Sequence, residues 1–237
     1  MLNVRDLGGH ATEDGGETRF GQIVRADTVR RLSDEGWQAL IDYGIRTIVD
    51  LRTDVERQAD PPAELPVTVV HVPFLEEDEE VFEEVEAVAS KAPDYATATR
   101  EVYLIFLEHF RRNAAAAIQA VVDAPEGGVV VHCMGGKDRT GLTVAFLLRM
   151  AGVSIEDIAA DYALSEERLK PRHDRWIAEA ETEAERERLR RIAATPAESM
   201  TGVLEELERR YGSIEAYLRA GGAPEDIGER VRARLRG

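Results

Sequence analysis

Cys133 and Arg139 bracket five residues in the run His132-Cys133-Met134-Gly135-Gly136-Lys137-Asp138-Arg139-Thr140-Gly141. The apolar residues Val129 to Val131 precede this run, and the largely apolar segment Leu142 to Met150 follows it. That pattern predicts a strand, a glycine-containing loop and a helix. Such a loop aims several backbone N–H groups at one point, and the helix N-terminus adds about half a positive charge there. Gly135 and Gly136 let the backbone curl around an anion with no Cβ in the way. Arg139 offers a planar fork that matches two oxygens of a phosphate, which a lysine does not. Thiols at helix N-termini ionise more readily than free cysteine. Cys133, the only cysteine in 237 residues, therefore reads as a nucleophile at the floor of an anion cradle.

The neighbouring residues suggest supporting parts. The Thr140 hydroxyl is expected to hydrogen-bond the thiolate and ease its departure from a phosphorylated intermediate. Lys137 supplies a second cation for the phosphate or for a substrate head group. Asp138 has the chemistry of a general acid and also suits a helix N-cap. Met134 is expected in the pocket wall, and His132 is expected to hydrogen-bond near the loop and tune the thiol. Asp27 and Asp50 are rival acids. His10, His71, His109 and His173 show no metal-ligand spacing, and one cysteine builds no zinc site, so neither metal nor cofactor is expected.

The ten-residue run resembles the signature loop of cysteine-dependent tyrosine phosphatases. More narrowly, it is similar to an atypical bacterial family of tyrosine and phosphoinositide phosphatases. Asn3-Val4-Arg5-Asp6-Leu7-Gly8-Gly9, Arg25-Ala26-Asp27 and Gly44 to Arg52 resemble further motifs of that family. So do Asp161-Tyr162 with Ser165, and Tyr211-Gly212-Ser213-Ile214 with Tyr217-Leu218. The resemblance implies hydrolysis of phosphate monoesters through a cysteinyl-phosphate intermediate, chiefly on protein phosphotyrosine. Phosphoinositides or inositol phosphates are the alternative substrates. The resemblance also implies a lid in the part of the chain near residues 76–90. The Trp-Pro-Asp loop that carries the acid of classical tyrosine phosphatases is absent, since Trp37 and Trp176 are followed by Gln38 and Ile177. That absence favours Asp138 as the acid. A pseudophosphatase that only binds phosphorylated partners is the reading from a different class, and the full set of catalytic residue types counts against it.

The elements that must hold the loop are legible from periodicity and punctuation. Gly15-Gly16 marks a turn in a β-rich N-terminal region. Gln22 to Ala26, Ile45 to Leu51 and Val67 to Val72 predict strands, and Pro61-Pro62 breaks the chain between the last two. Ser33 caps a helix that runs to about Tyr43 and stops at Gly44. Asp94 to Val122 predicts one long helical stretch. The acidic run Glu76 to Glu80, followed by apolar residues at helical spacing, predicts either a solvated surface helix or a mobile lid. Four or five helices are expected after Gly152, with Asp161, Tyr162 and Ser165 packing and capping. Arg5, Asp6, Gly8 and Gly9 are expected in the scaffold. The expected fold is α/β, a cysteine-phosphatase-like central sheet flanked by helices, in a single domain over 1–237 with a helical C-terminal region over 154–237.

Composition narrows the partners. A net charge of −16 argues against nucleic acid and against an anionic membrane surface. No run approaches a membrane span, so no stable membrane insertion is expected. The N-terminus lacks a basic flank and apolar segment, so no signal peptide is visible. The cytoplasm is the default location, although the resembling family includes proteins exported without an obvious signal.

Overall fold

The strand that delivers Cys133 lies at the middle of the sheet. The computed structural model describes residues 1–60 and 67–237; the expected break at Pro61-Pro62 lies outside them. The strands among the described residues are β1 (Arg5–Asp6), β2 (Ile23–Ala26), β3 (Ile45–Asp50), β4 (Thr68–His71) and β5 (Gly128–His132), in the order β1-β2-β5-β3-β4. All neighbours are parallel except the β1–β2 pair at the edge. β5 is fully buried, with Val129 and Val131 in one core cluster and Val130 in another. A parallel strand covered on both faces reads as a continuous β-branched run, and Val129-Val130-Val131 is one.

Eleven α-helices lie among the described residues: α1 (Asp34–Asp42), α2 (Asp54–Ala59), α3 (Glu79–Ala89), α4 (Tyr95–His109), α5 (Arg111–Asp123), α6 (Asp138–Met150), α7 (Ile155–Glu179), α8 (Glu183–Ala193), α9 (Ala197–Tyr211), α10 (Ile214–Ala220) and α11 (Ile227–Arg236). The Leu40 side chain of α1 joins Val24, Ile45, Ile48 and Val130 on one face of the sheet. The larger cluster on the other face includes Ile118 of α5, Phe146 of α6 and Leu204 of α9. α6 is buried nearly all round, as its composition predicts.

The expected strands form within a residue or two, and Ser33 caps α1 by accepting from Gly36 N. The stretch from Asp94 to Val122 is two helices, not one. Phe110 leaves the helical region (φ −108°, ψ 31°), its side chain is buried, and the chain turns there. Gly221 packs closely on the new helix start, where a Cβ would lie 2.6 Å from Arg111 O. Neither Gly nor Pro marks the turn in the sequence. Five helices follow Gly152, and Asp161 and Ser165 lie inside α7, where they cap nothing. Ser154 is the cap of α7, accepting from Asp157 N.

The register aligns three strand ends. Ala26 and Asp50 both lie opposite His132. The residues just beyond, Asp27, Leu51 and Cys133, therefore emerge side by side at the carboxyl edge of a parallel sheet. β5 sits between β2 and β3 there, and such a crevice is where open α/β sheets bind ligands.

Candidate active site

The loop after β5 is held from outside by its carbonyls. Met134 O accepts from Thr28 N (3.2 Å), Gly135 O and Gly136 O accept from Asn3 Nδ2 (3.3 and 2.9 Å), and Gly136 O also accepts from Arg25 (2.8 Å). Among the described residues no peptide bond is cis. In a trans peptide the next N–H points opposite to the carbonyl. Three carbonyls pulled outward thus turn the N–H groups of Gly135, Gly136 and Lys137 inward. Gly136 has φ +62°, and a Cβ there would lie 2.3 Å from Ala26 O. Only glycine fits at that point.

Behind the loop stands a buried ion network. Asp161 of α7 binds Arg5 Nε and Arg25 Nη1, each at 2.6 Å. Arg25 is 0% exposed, and its other arm holds Gly136 O. Neither Arg5 nor Asp6 lines the cleft of Cys133. Asp6 accepts from Gly8 N, Gly21 N and the Tyr43 hydroxyl.

Cys133, Met134, Gly135, Lys137, Asp138 and Arg139 line one cleft of about 240 Å³. Thr28 and, from α7 and α8, Leu169, Arg172, His173, Arg175, Trp176 and Ile192 complete its walls. Cys133 is buried and unpaired in any disulfide. Arg139 is clamped by Glu56 of α2, Nη1 to Oε2 and Nη2 to Oε1 (2.8 Å). Burial disfavours the Arg139 charge, but the bonds to Glu56 and the proximity of Cys133 outweigh it and raise its pKa. An end-on carboxylate occupies one edge of the guanidinium and leaves the Nε edge for a second anion. Glu56 itself sits in a capping box: it accepts from Thr53 N while Thr53 Oγ1 accepts from Glu56 N.

Asp138 begins α6. Its Oδ1 accepts from the Tyr103 hydroxyl at 2.6 Å and lies 3.2 Å from Lys137 Nζ. The surroundings desolvate this carboxyl, which pushes its pKa up, but Lys137, the Tyr103 bond and Arg139 prevail and lower it. Asp27 does not line the cleft, and its Oδ1 accepts from Leu2 N and Asn3 N. Asp50 is gripped by Arg52 through Nε and Nη2. Burial opposes the Asp50 charge, and Arg52 with nearby His132 more than restores it, lowering its pKa. Of the three candidate acids, Asp138 alone lines the cleft with Cys133.

His132 is buried, which lowers its pKa, and its Nδ1 lies 3.1 Å from Cys133 O. Lys137 Nζ donates to Ile192 O and Ala194 O at the end of α8. Thr140 Oγ1 is buried and makes no hydrogen bond, so the expected contact with the thiol is not formed in this conformation. Met134 is 37% exposed in the cleft wall. His173 is buried in the same wall with Nδ1 unpartnered, and burial followed by the nearby Lys137 and Arg172 lowers its pKa to about 4. Sequence reasoning missed Glu56, Tyr103, Asn3 and His173 as site residues. Glu56 left a local trace, the Thr53-x-x-Glu56 capping pattern, and Asn3 lies in the first of the resembling motifs. No group of three metal-ligating side chains occurs among the described residues.

The profile of the tyrosine phosphatase family matches residues 1–237. The chain belongs to the tyrosine phosphatase family. It is 27% identical over 227 residues to a tyrosine-protein phosphatase of Nostoc commune, covering 90% of this chain and 74% of the relative. It is 28% identical over 270 aligned positions to the triple specificity protein phosphatase PtpB of Mycobacterium tuberculosis, covering 99% and 96%. Family membership makes this chain a phosphatase, an enzyme acting on phosphorylated substrates. Among the described residues no helix is long and apolar enough to cross a membrane.

Proposed function

We propose that this phosphatase hydrolyses phosphate monoesters, protein phosphotyrosine first among them, through a cysteinyl-phosphate intermediate formed on Cys133. The observation that carries this reading is the single cleft shared by Cys133, Arg139 and Asp138 beneath inward-turned loop amides. The thiolate sulfur bonds to phosphorus as the ester P–O bond breaks. Arg139 and the N–H groups of Gly135, Gly136 and Lys137 hold the equatorial oxygens, which carry the charge in flight. Met134 lines the wall and Thr140 backs the loop. Asp138 gives its proton to the leaving oxygen. Water then attacks phosphorus, the S–P bond breaks, and the water's proton passes to Asp138. A phosphate dianion in the cleft favours the protonated form of Asp138, which the free enzyme holds ionised.

The whole chain acts as one domain in this reading, and α3, within residues 76–90, serves as a lid. A second groove of about 360 Å³, lined by apolar residues of α3 and α4 and by Arg188, Arg191 and Ile192 of α8, meets the cleft at Lys137, Asp138 and Ile192. That groove is what favours the alternative, a phosphoinositide with its apolar part outside the phosphate cradle. A hundredfold preference for short-chain phosphoinositides over phosphotyrosine peptides would establish the alternative. The mechanism is tested with p-nitrophenyl phosphate in EDTA, using the native protein and Cys133→Ser. Turnover by the native protein alone is expected; equal turnover by both would remove Cys133 as nucleophile.

A further inference from the structure

The cleft accounts for Cys133, Arg139 and Asp138, but one polar chain running away from it into the core has no part in that account. The Tyr103 hydroxyl of α4 lies 2.6 Å from Asp138 Oδ1 and 2.8 Å from the Tyr162 hydroxyl of α7. Both tyrosines are essentially buried, at 2% and 1% exposure. Their rings meet edge to face, with centroids 6.2 Å apart. Buried hydroxyls are costly unless they are partnered, and here three polar groups from three helices satisfy one another.

The chain has a fixed direction. A tyrosine hydroxyl carries one proton. Tyr103 spends it on the ionised Asp138, so Tyr162 must donate to the Tyr103 oxygen. Each donation polarises the next, and charge-assisted hydrogen bonds are the strong ones. Desolvation keeps both phenols protonated, raising Tyr103 well above its ordinary range and Tyr162 above it as well. The donors are therefore permanent. The start of α6 is shaped to admit them: a Cβ on Gly141 would lie 3.1 Å from Tyr162 Cδ2. Gly141, the last residue of the signature run, thus leaves room for the ring that ends the chain.

We infer that Tyr103, backed by Tyr162, is a positioning residue that fixes the rotamer of Asp138 for proton transfer to the leaving oxygen. The inference rests on Asp138 being the general acid. Without the Tyr103 bond, that carboxyl keeps its ion pair with Lys137, whose Nζ is itself tied to the Ile192 and Ala194 carbonyls. The geometry assigns the chain to the proton, not to the phosphate, because neither tyrosine lines the Cys133 cleft.

The test is a leaving-group series. kcat/KM is measured for 2,4-dinitrophenyl phosphate, which needs no acid, and for phenyl phosphate and phosphotyrosine, which do. Native protein, Tyr103→Phe, Tyr162→Phe and Asp138→Asn are compared, and vanadate inhibition reports the oxyanion site. Tyr103→Phe should slow the poor leaving groups roughly tenfold and the dinitrophenyl ester by less than about twofold, with vanadate affinity unchanged. Tyr162→Phe should follow in the same direction with a smaller loss. Asp138→Asn should give the full dependence, roughly a hundredfold or more on the poor leaving groups. If Asp138→Asn slows every ester alike, the acid is misassigned. If Asp138→Asn is selective but Tyr103→Phe is not, or if Tyr103→Phe also weakens vanadate, the tyrosine chain is only structural and the inference fails.

Discussion

Glu56 determines how much of Arg139 is left for substrate. Its carboxylate takes the Nη1 and Nη2 ends of the guanidinium and also accepts from Thr53 N, so the arginine is braced against the first turn of α2. Glu56→Gln removes the charge and one of the two acceptors. Vanadate and phosphate should then bind roughly tenfold more weakly, with thermal stability nearly unchanged, because the site is partly open. Unaltered vanadate inhibition would mean that Arg139 is positioned without Glu56. At this scale the sequence was most legible where chemistry is contiguous. Cys133, Asp138 and Arg139 lie within one loop, and a loop is readable as a string. Glu56 is 83 residues from Arg139 and Tyr103 is 35 from Asp138. Nothing local in either residue announces its partner. The Thr140 hydroxyl is the converse case: the string suggested a bond to the thiol that this conformation does not make.

Helices and strands were legible where a cap or a β-branched run marked them, and not where tertiary packing decided. Ser33 and Gly44 bound α1 as their types predict. The turn at Phe110 is set by the fit of α10 and Gly221 against Arg111, and both halves keep their own apolar faces, so periodicity ran through the break. α3 is the element whose type was plain and whose role was not. It buries only Val81, leaves Phe82 38% exposed, and packs chiefly against α4 through the Phe82–Phe106 edge contact. A helix with one buried residue has little to hold it closed, and such elements open locally at small cost. Hydrogen exchange should therefore find the α3 amides orders of magnitude less protected than those of α6. Vanadate should slow them, since α3 lines the groove that meets Asp138. Protection in α3 equal to that in α6 would end its reading as a lid.

Across the whole molecule one ion network joins the chain's beginning, its sheet and its C-terminal helices to the loop. Asp161 on α7 bridges Arg5 on β1 and Arg25 on β2, while Arg25 and Asn3 hold Gly136 and Gly135. The motifs around Asn3, Arg25, Gly136 and Asp161, far apart in the sequence, are thus one physical object, which no reading of separate strings could assemble. Its acid stability follows from the sign of the Asp161 shift. Burial opposes the Asp161 charge, but Arg25 and Arg5 outweigh it and lower its pKa to about 2, against about 3.9 in an unfolded chain. A depressed carboxylate contributes stability in full above its unfolded value and loses it as pH falls toward the folded one. This contribution should be intact from neutral pH down to about 5 and fade between about 4 and 2. Asp161→Asn leaves two buried guanidiniums without their counter-charge, a change that costs about 3–5 kcal/mol when one partner of a buried pair is removed. The variant should melt far below the native protein at pH 7, and the gap between the two should narrow when both are melted near pH 3. Chemical denaturation at both pH values measures this difference directly. A gap that stays constant with pH would mean that Asp161 stabilises the fold through packing and not through its charge.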